Sequence, residues 1–128
     1  MMPAGQIGLH YYASGIRRYV TRMTPGAAKR LFLLGETLHA EEMLRIGYLD
    51  EVVAPEALAA RVDALAATLA ANAPLAVAGL KQAIDGAAFG RLDRTALAAA
   101  RAGAAASEDH AEALKAWSEK RRPVFSGR

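Results

Sequence analysis

Apolar side chains recur at helical spacing along the second part of the chain. The clearest stripe lies between Pro55 and Pro74 and consists of Leu58, Val62, Leu65 and Leu69. These positions fall on one face of a helix, and Pro74 is expected to end that helix and open the next. The same periodicity predicts three further helices, over about 74–86, 93–106 and 107–121, the second starting at Asp93 or Thr95.

The first part of the chain is also predicted to be helical. The pattern indicates a helix over about 13–23. A second helix is expected to begin after Thr24, which caps it ahead of a proline, and to end at Gly35. Thr37 is positioned to cap a third, short helix that ends at Gly47.

Only residues 48–53, with the sequence Tyr-Leu-Asp-Glu-Val-Val, have the character of a strand. A single strand cannot satisfy its own hydrogen bonds, so this segment either forms a turn or pairs with strands outside this chain. The predicted fold class is therefore mainly α, with six or seven helices and at most one short strand, at about 48–53.

Composition changes the picture of the core. Of the 128 residues, 31 are alanine, and alanine forms helices well but buries little area. The core is therefore expected to be thin, which favours association with further copies or with a partner. Cysteine is absent, which excludes disulfides and thiolate sites. No apolar run reaches the length of a membrane span and no secretory signal precedes the first helix, so a cytoplasmic location and no membrane partner are expected.

Positive charge is concentrated at the N-terminal end. The net charge is +3, yet residues 1–35 carry no acid and five bases, namely Arg17, Arg18, Arg22, Lys29 and Arg30. This pattern is typical of a solvated helix face, or of a site for an anion such as a phosphate or nucleotide. No recognition-helix motif accompanies the bases, so nucleic acid is not the expected partner.

Few residue patterns indicate catalysis or metal binding. His10, His39 and His110 have no further ligand at metal-binding spacing, so no metal site is expected. Ser14 lacks the surrounding motif of a serine nucleophile. The adjacent acids at 41–42 and 50–51 are interpreted as surface acids, because neighbours on a helix point in different directions.

The last predicted helix carries a candidate ligand-binding face. Trp117, Lys120 and Arg121 have the spacing i, i+3 and i+4, which places an aromatic ring and two cations on one face of a helix. Such a face can stack a base and hold a phosphate. The alternative is that the tryptophan packs in the core while the cations complement the helix dipole.

Several short motifs occur in an order that resembles the C-terminal half of the enoyl-CoA hydratase/isomerase (crotonase) family. The resemblance runs from about Pro3 to Phe125. Its motifs are Ile7-Gly8-Leu9, Gly35-Glu36 before Ala40-Glu41-Glu42, Gly47-Tyr48-Leu49-Asp50-Glu51-Val52-Val53, Ala73-Pro74-Leu75 followed by Lys81, Ser107-Glu108-Asp109 with Glu112-Ala113, and the run from Trp117 to Phe125.

The resemblance implies the C-terminal helical part of the crotonase α/β spiral fold. Residues 1–54 would be the truncated end of the crotonase core, in the region of the active-site helix, and residues 55–128 a helical oligomerisation region. It further implies acyl-CoA, a coenzyme A thioester, as substrate, no covalently bound cofactor, and a homo-oligomer of the trimer type. In the family, an aromatic residue and a lysine matching Trp117 and Lys120 approach the 3′-phosphate end of coenzyme A, often across a subunit boundary. Arg121 is a further candidate contact.

The resemblance also implies that this chain alone lacks catalytic groups. The two backbone N–H groups of the family's oxyanion hole and the first of two catalytic glutamates belong to the preceding half, and the second glutamate position is Ala4 here. A methyl group cannot transfer a proton. Relatives often carry a Gly-rich turn where this chain has His10-Tyr11-Tyr12. These rings could narrow an acyl pocket, supply a different acid, or simply pack.

Two hypotheses follow. In the first, the chain is the C-terminal segment of an acyl-CoA (enoyl-CoA) hydratase/isomerase family protein, a natural short protein or a fragment, and is inactive alone. The Met1-Met2 start falls within a motif and favours a truncated or re-started reading frame. In the alternative, the chain is a non-catalytic helical assembly or interaction module. The first predicts an affinity for coenzyme A that the second does not.

Overall fold

The computed structural model describes residues 1–128, and its regular structure is entirely helical. It contains seven α-helices, one short 3₁₀ turn and no strand. The predicted mainly α class is thus confirmed. Residues 48–53 run as irregular chain after Gly47, whose φ of 79° ends the preceding helix. No neighbouring segment pairs with these residues through a ladder of backbone hydrogen bonds. They therefore form no strand, because a strand needs a paired segment to satisfy its backbone groups.

The chain divides into two compact units, Met1–Pro55 and Glu56–Arg128, which we describe separately. The first unit holds α1 (Ala13–Arg22), α2 (Pro25–Leu33) and α3 (Ala40–Arg45). Its core is small, as the alanine content predicts, and consists of Met23, Ala27, Ala28 and Leu31. Partly buried side chains surround it: Met2, Tyr19, Phe32, Leu38, Ile46 and Tyr48.

Helix ends in the first unit follow the sequence in one case and depart from it in another. The Thr24 side chain accepts a hydrogen bond from the backbone N–H of Ala27 at 3.2 Å, and so caps α2 as predicted. The prediction that Thr37 caps the third helix is wrong, because α3 begins at Ala40 with His39 in the capping position. A start at Ala40 places Glu42 in the first turn, where its carboxylate binds both Arg30 of α2 and Arg45.

The second unit is built from four helices. A 3₁₀ turn over Pro55–Ala57 precedes α4 (Leu58–Ala70), and α5 (Pro74–Ala88), α6 (Arg94–Ala105) and α7 (Glu108–Ser118) follow. Asp93 caps α6 by accepting from the N–H groups of Thr95 and Ala96, both at 2.9 Å. Helices α5 and α6 pack closely where Gly79 faces Ala100. A Cβ atom placed on Gly79 would lie only 3.4 Å from the Cβ atom of Ala100.

Much of the apolar surface of the second unit remains exposed. The α4 stripe is about half exposed at each of its four positions, with values of 57% for Leu58, 53% for Val62, 48% for Leu65 and 56% for Leu69. No single helix is long and apolar enough to cross a membrane; only Pro55–Ala70 taken together with Pro74–Ala88, bent by 110°, would reach that length and composition.

Candidate functional site

The candidate site lies at the C-terminal end of α7, where the helix ends in a left-handed turn. The N–H of Arg121 donates to the carbonyl of Ala116 at 3.0 Å, and the N–H of Lys120 donates to the carbonyl of Trp117 at 3.2 Å. These two bonds form a Schellman motif, in which one residue must adopt a left-handed conformation. Lys120 takes that position with a φ of 55°, and it is the only non-glycine residue in the chain with a positive φ.

This ending changes the relationship of the three predicted site residues. The expectation that they share one face of a continuous helix is wrong, because α7 ends at Ser118 and only Trp117 is helical. The sequence pattern predicts a helix end near Arg121, three residues beyond the observed end at Ser118. The left-handed turn instead carries Lys120 and Arg121 away from the helical path.

Trp117 lies on the surface. Its relative exposure is 87%, the highest among the large exposed hydrophobic residues, so the alternative of a tryptophan in the core is also wrong. An indole ring this exposed offers a wide apolar face to solvent, next to the turn that carries Lys120. No ion pair or side-chain hydrogen bond engages the Lys120 ammonium.

Arg121 differs from Lys120, because carboxylates occupy its guanidinium. Its terminal nitrogens donate to the two Glu112 oxygens at 2.5 and 2.8 Å, and its Nε donates to Glu119 at 2.6 Å. The hydrogen bonds from Arg121 and from the backbone N–H of Val124 lower the pKa of Glu112 to about 2. The positive charge of Arg121 is therefore largely compensated within the protein.

Another acidic residue of α7, Asp109, is almost fully buried. Asp109 has a relative exposure of 2%. Its Oδ1 accepts from the N–H of Ser126 at 2.6 Å, and its Oδ2 accepts from the N–H of Gly127 at 2.9 Å. A buried carboxylate needs such partners, because it would otherwise lose its hydration without compensation. Asp109 thus binds the segment that follows the helix.

The N-terminal segment holds the other predicted residues. Ala4, at the position of a family glutamate, is buried at 9% exposure and its carbonyl accepts from the N–H of Leu9 at 2.9 Å. His10 lies on the surface, where its Nδ1 is 2.9 Å from the carbonyl oxygen of Tyr11. None of these groups forms a pair of acid and base.

The tyrosines of this segment belong to an aromatic cluster. The Tyr11 ring stacks on Tyr12 with centroids 4.4 Å apart and lies 5.2 Å from the ring of Phe32. Tyr19 stacks on Tyr48 at 5.5 Å. The hydrogen bond to Tyr12 raises the pKa of Tyr11, and burial raises the pKa of Tyr19. These contacts support packing as the main role of Tyr11.

A groove of about 600 Å³ lies between α5 and α6. Its walls are alanine, glycine and leucine side chains, with Arg101 as the only charged residue. The groove therefore offers apolar contact but no pair of groups for acid–base chemistry. Nowhere in the chain do three or more histidine, aspartate or glutamate side chains come together as metal ligands.

Comparison with known families identifies the family of this chain. The family model described as enoyl-CoA hydratase/isomerase matches residues 1–128. The chain belongs to the enoyl-CoA hydratase/isomerase family, and its helices form the C-terminal part of the crotonase fold.

The curated relatives extend well beyond the matched region. The carnitinyl-CoA dehydratase of Citrobacter koseri is 31% identical over 134 residues, which cover 99% of this chain and 51% of that protein. The corresponding enzyme of Proteus mirabilis is 30% identical, with the same coverage. The chain thus spans about half the length of the curated relatives it matches, and corresponds to their C-terminal half.

Solved structures give the same result. An enoyl-CoA hydratase from Mycobacterium tuberculosis is 29% identical with a TM-score of 0.80, over 98% of this chain and 51% of that one. An enoyl-CoA hydratase/carnitine racemase from Magnetospirillum magneticum is 28% identical with a TM-score of 0.84, over 98% and 47%. The fold predicted from the resemblance is therefore confirmed.

Sequence reasoning did not single out the structural role of Asp109 and Glu112. One signal was present, because the two acids are three residues apart and so share a face of α7. A carboxylate near a helix N-terminus is usually exposed, and only the folded-back tail explains the burial of Asp109.

Proposed function

We propose that this chain binds the nucleotide end of an acyl-CoA substrate, with Trp117 and Lys120 as the contact residues. The observation that carries the proposal is the left-handed Lys120, beside an 87% exposed tryptophan. A lysine in this conformation is strained where glycine would be relaxed. Strain at an exposed turn is typical of a residue whose side chain is needed for function.

The chemistry of the two side chains fits the ligand. An exposed indole can stack on adenine, and such stacking contributes about 1–3 kcal/mol per base. The Lys120 ammonium has three N–H donors and no protein partner, so it can bind the ribose 3′-phosphate of coenzyme A. Arg121 is not a proposed contact, because Glu112 and Glu119 already bind its guanidinium.

We further propose that the chain does not hydrate or isomerise enoyl-CoA on its own. Ala4 offers a methyl group where the family resemblance implies a glutamate, and a methyl group cannot transfer a proton. Two carboxylates of the same unit, Glu36 and Glu42, are bound to Arg30. Hydrogen bonds from Arg45 and then Arg30 lower the pKa of Glu42 to about 2, which keeps this carboxylate ionised and unsuited to acid catalysis.

The binding proposal is tested by titrating the purified chain with coenzyme A and with 3′-dephospho-coenzyme A in a calorimeter. Loss of one charge-assisted hydrogen bond should weaken binding by about tenfold, so the dephosphorylated ligand should bind that much more weakly. Lys120→Gly keeps the left-handed turn and removes the ammonium, and should abolish the preference. Lys115→Ala removes one positive charge from the same helix and serves as the control. Equal affinity for both ligands would contradict the proposal.

The catalytic proposal is tested separately. The purified chain is incubated with a short enoyl-CoA, and the absorbance of the conjugated thioester is followed over time. We expect no loss of absorbance above a protein-free control. Robust turnover would show that other residues supply the missing acid and base.

A second candidate function is a non-catalytic helical assembly module, and the exposed α4 stripe favours it. Half-exposed apolar side chains at intervals of four, three and four residues, here three leucines and Val62, are typical of a face that packs against another helix. We expect a homo-oligomer in sedimentation equilibrium, which Leu65→Glu weakens and Ala60→Glu, on the opposite face, does not. An oligomer without affinity for coenzyme A would favour this second function over the first.

A further inference from the structure

Two carboxylates on one face of α7 bind the segment that follows the helix. Asp109 accepts the N–H groups of Ser126 and Gly127, and its own N–H donates to the carbonyl of Arg128 at 3.1 Å. Glu112, one turn further along, accepts the N–H of Val124 at 2.9 Å. Residues 121–128 therefore run back along α7, towards its N-terminus. We call this arrangement the tail clamp.

The tail clamp meets the candidate site at Arg121. This residue follows Lys120 directly, and Glu112 binds its guanidinium through both terminal nitrogens. The last turn of a helix normally frays, and a left-handed lysine would relax if its neighbours were free. The conformation of Lys120 persists because α7 holds it on one side and the clamped tail holds it on the other.

We propose that Asp109 and Glu112 are positioning residues for the coenzyme A contact at Trp117 and Lys120. This inference rests on the proposed function. The clamp fixes the backbone on both sides of Lys120, and so limits the region next to Trp117 that the ammonium can reach. It also pairs Arg121 with Glu112, so that of Lys120 and Arg121 only Lys120 is left to contact the phosphate. The buried Asp109 anchors the far end of the clamp and touches no ligand.

The test measures how strongly the protein distinguishes coenzyme A from 3′-dephospho-coenzyme A. Asp109→Asn weakens the anchor, because an amide has one oxygen acceptor where the carboxylate has two. Gly127→Ala weakens the same end without removing a charge, because Gly127 has a φ of 78° that an alanine adopts only with strain. Two controls are matched to these changes. Asp63→Asn makes the same chemical change at an exposed position of α4, and Ser126→Ala removes only the 3.5 Å contact of the hydroxyl with Asp109 and keeps the N–H that binds it.

Calorimetry on the full chain gives the ratio of the two dissociation constants for each variant. The wild-type ratio should be about tenfold, as one charge-assisted contact provides, and both clamp variants should bring it to within about twofold of unity. Both controls should keep the wild-type ratio. A purely structural role for the clamp would lower the melting temperature and leave the ratio unchanged at temperatures where the variant is folded.

Each result has one meaning. A ratio that falls in the clamp variants and not in the controls supports the inference. A wild-type ratio retained in folded Asp109→Asn and Gly127→Ala overturns it, while the proposed function stands. A wild-type chain without preference for the phosphorylated ligand overturns the proposed function and the inference together. Should Asp109→Asn not fold, Gly127→Ala decides, because it leaves the buried carboxylate in place.

Discussion

The ring of Tyr11 lies in the space that a side chain on Gly15 would occupy. A Cβ atom on Gly15 would collide with the edge of this ring, at 2.9 Å from Cδ1, and would lie equally close to Cε2 of Tyr12. Gly15 is the only buried residue of α1. A glycine in the first turns of a helix thus allows the two stacked tyrosines to cover it.

We expect Gly15→Ala to destabilise the protein. Alanine in place of glycine gains about 1 kcal/mol of helix propensity, but the new methyl group must displace Tyr11 from its contacts with Tyr12 and Phe32. Overpacking costs about 1–3 kcal/mol, and lost aromatic pairs add about 0.5–1.5 kcal/mol. The net result should be a free energy of unfolding lower by about 1–2 kcal/mol, measured by urea denaturation.

The control for this prediction is Gly26→Ala in α2. A Cβ atom there meets only the Thr24 hydroxyl oxygen, at 3.8 Å, so the substitution should stabilise the protein by about 0.4–1 kcal/mol. The opposite signs of the two changes separate packing from helix propensity. A stabilising Gly15→Ala would mean that the tyrosine stack does not constrain this helix.

Thr24 and Thr37 provide a matched test of helix capping. Thr24 accepts a hydrogen bond from the N–H of Ala27, whereas the exposed Thr37 caps no helix. Thr24→Ala should therefore lower the free energy of unfolding by about 1 kcal/mol, and Thr37→Ala should change it by less than about 0.5 kcal/mol. Thermal denaturation followed by circular dichroism measures both. An equal loss for the two variants would contradict the assigned start of α3.

Helix ends with strong local signals could be predicted from sequence. The proline after Thr24 and the glycine at position 35 fix both ends of α2, because their backbone preferences do not depend on the rest of the fold. Thr37 carried the same type of signal and gave a wrong start. There, the ion pairs of Glu42 with Arg30 and Arg45 connect α3 to α2, and this tertiary contact is invisible in a local pattern.

The candidate site could be predicted only in part. The residue types can be read from the sequence, since an aromatic ring and nearby cations indicate a phosphate-bearing ligand. It could not give the geometry, because Lys120 adopts a conformation that sequence rules assign to glycine. The sequence also could not show that the tail folds back along α7. This return of the chain buries Asp109 and brings the Arg121 guanidinium to Glu112.

Stability should fall at acid pH because of two ion-paired glutamates. Hydrogen bonds from Arg121 and from the Val124 N–H lower the pKa of Glu112 to about 2, and hydrogen bonds from Arg45 and then Arg30 lower that of Glu42 to about 2. The ordinary value, 4.5, applies to the unfolded chain. Because folding lowers these pKa values, the stabilisation is complete above pH 4.5 and is lost as the pH falls towards 2.

Urea denaturation at a series of pH values measures this effect. The free energy of unfolding should decrease from pH 4.5 towards pH 2, and Glu112→Gln and Glu42→Gln should each make the decrease smaller. Glu41→Gln removes an exposed carboxylate from the same helix as Glu42 and serves as the control. A slope that neither ion-pair variant alters would contradict the lowered pKa values of the two glutamates in the folded protein.

Lys120→Gly should stabilise the fold, although it removes a proposed ligand contact. The left-handed conformation at Lys120 costs an ordinary residue about 1–2 kcal/mol, and glycine adopts it without strain. Glycine also loses more chain entropy on folding, so a net gain of about 0.5–1 kcal/mol in the free energy of unfolding is expected. Lys115→Gly, inside α7, should instead lose about 1 kcal/mol.

A variant that is more stable and yet no longer prefers coenzyme A over its dephosphorylated form would show that the lysine is kept for binding. If Lys120→Gly were less stable than the wild type, the left-handed turn would not form in solution, and the argument from strain would fail.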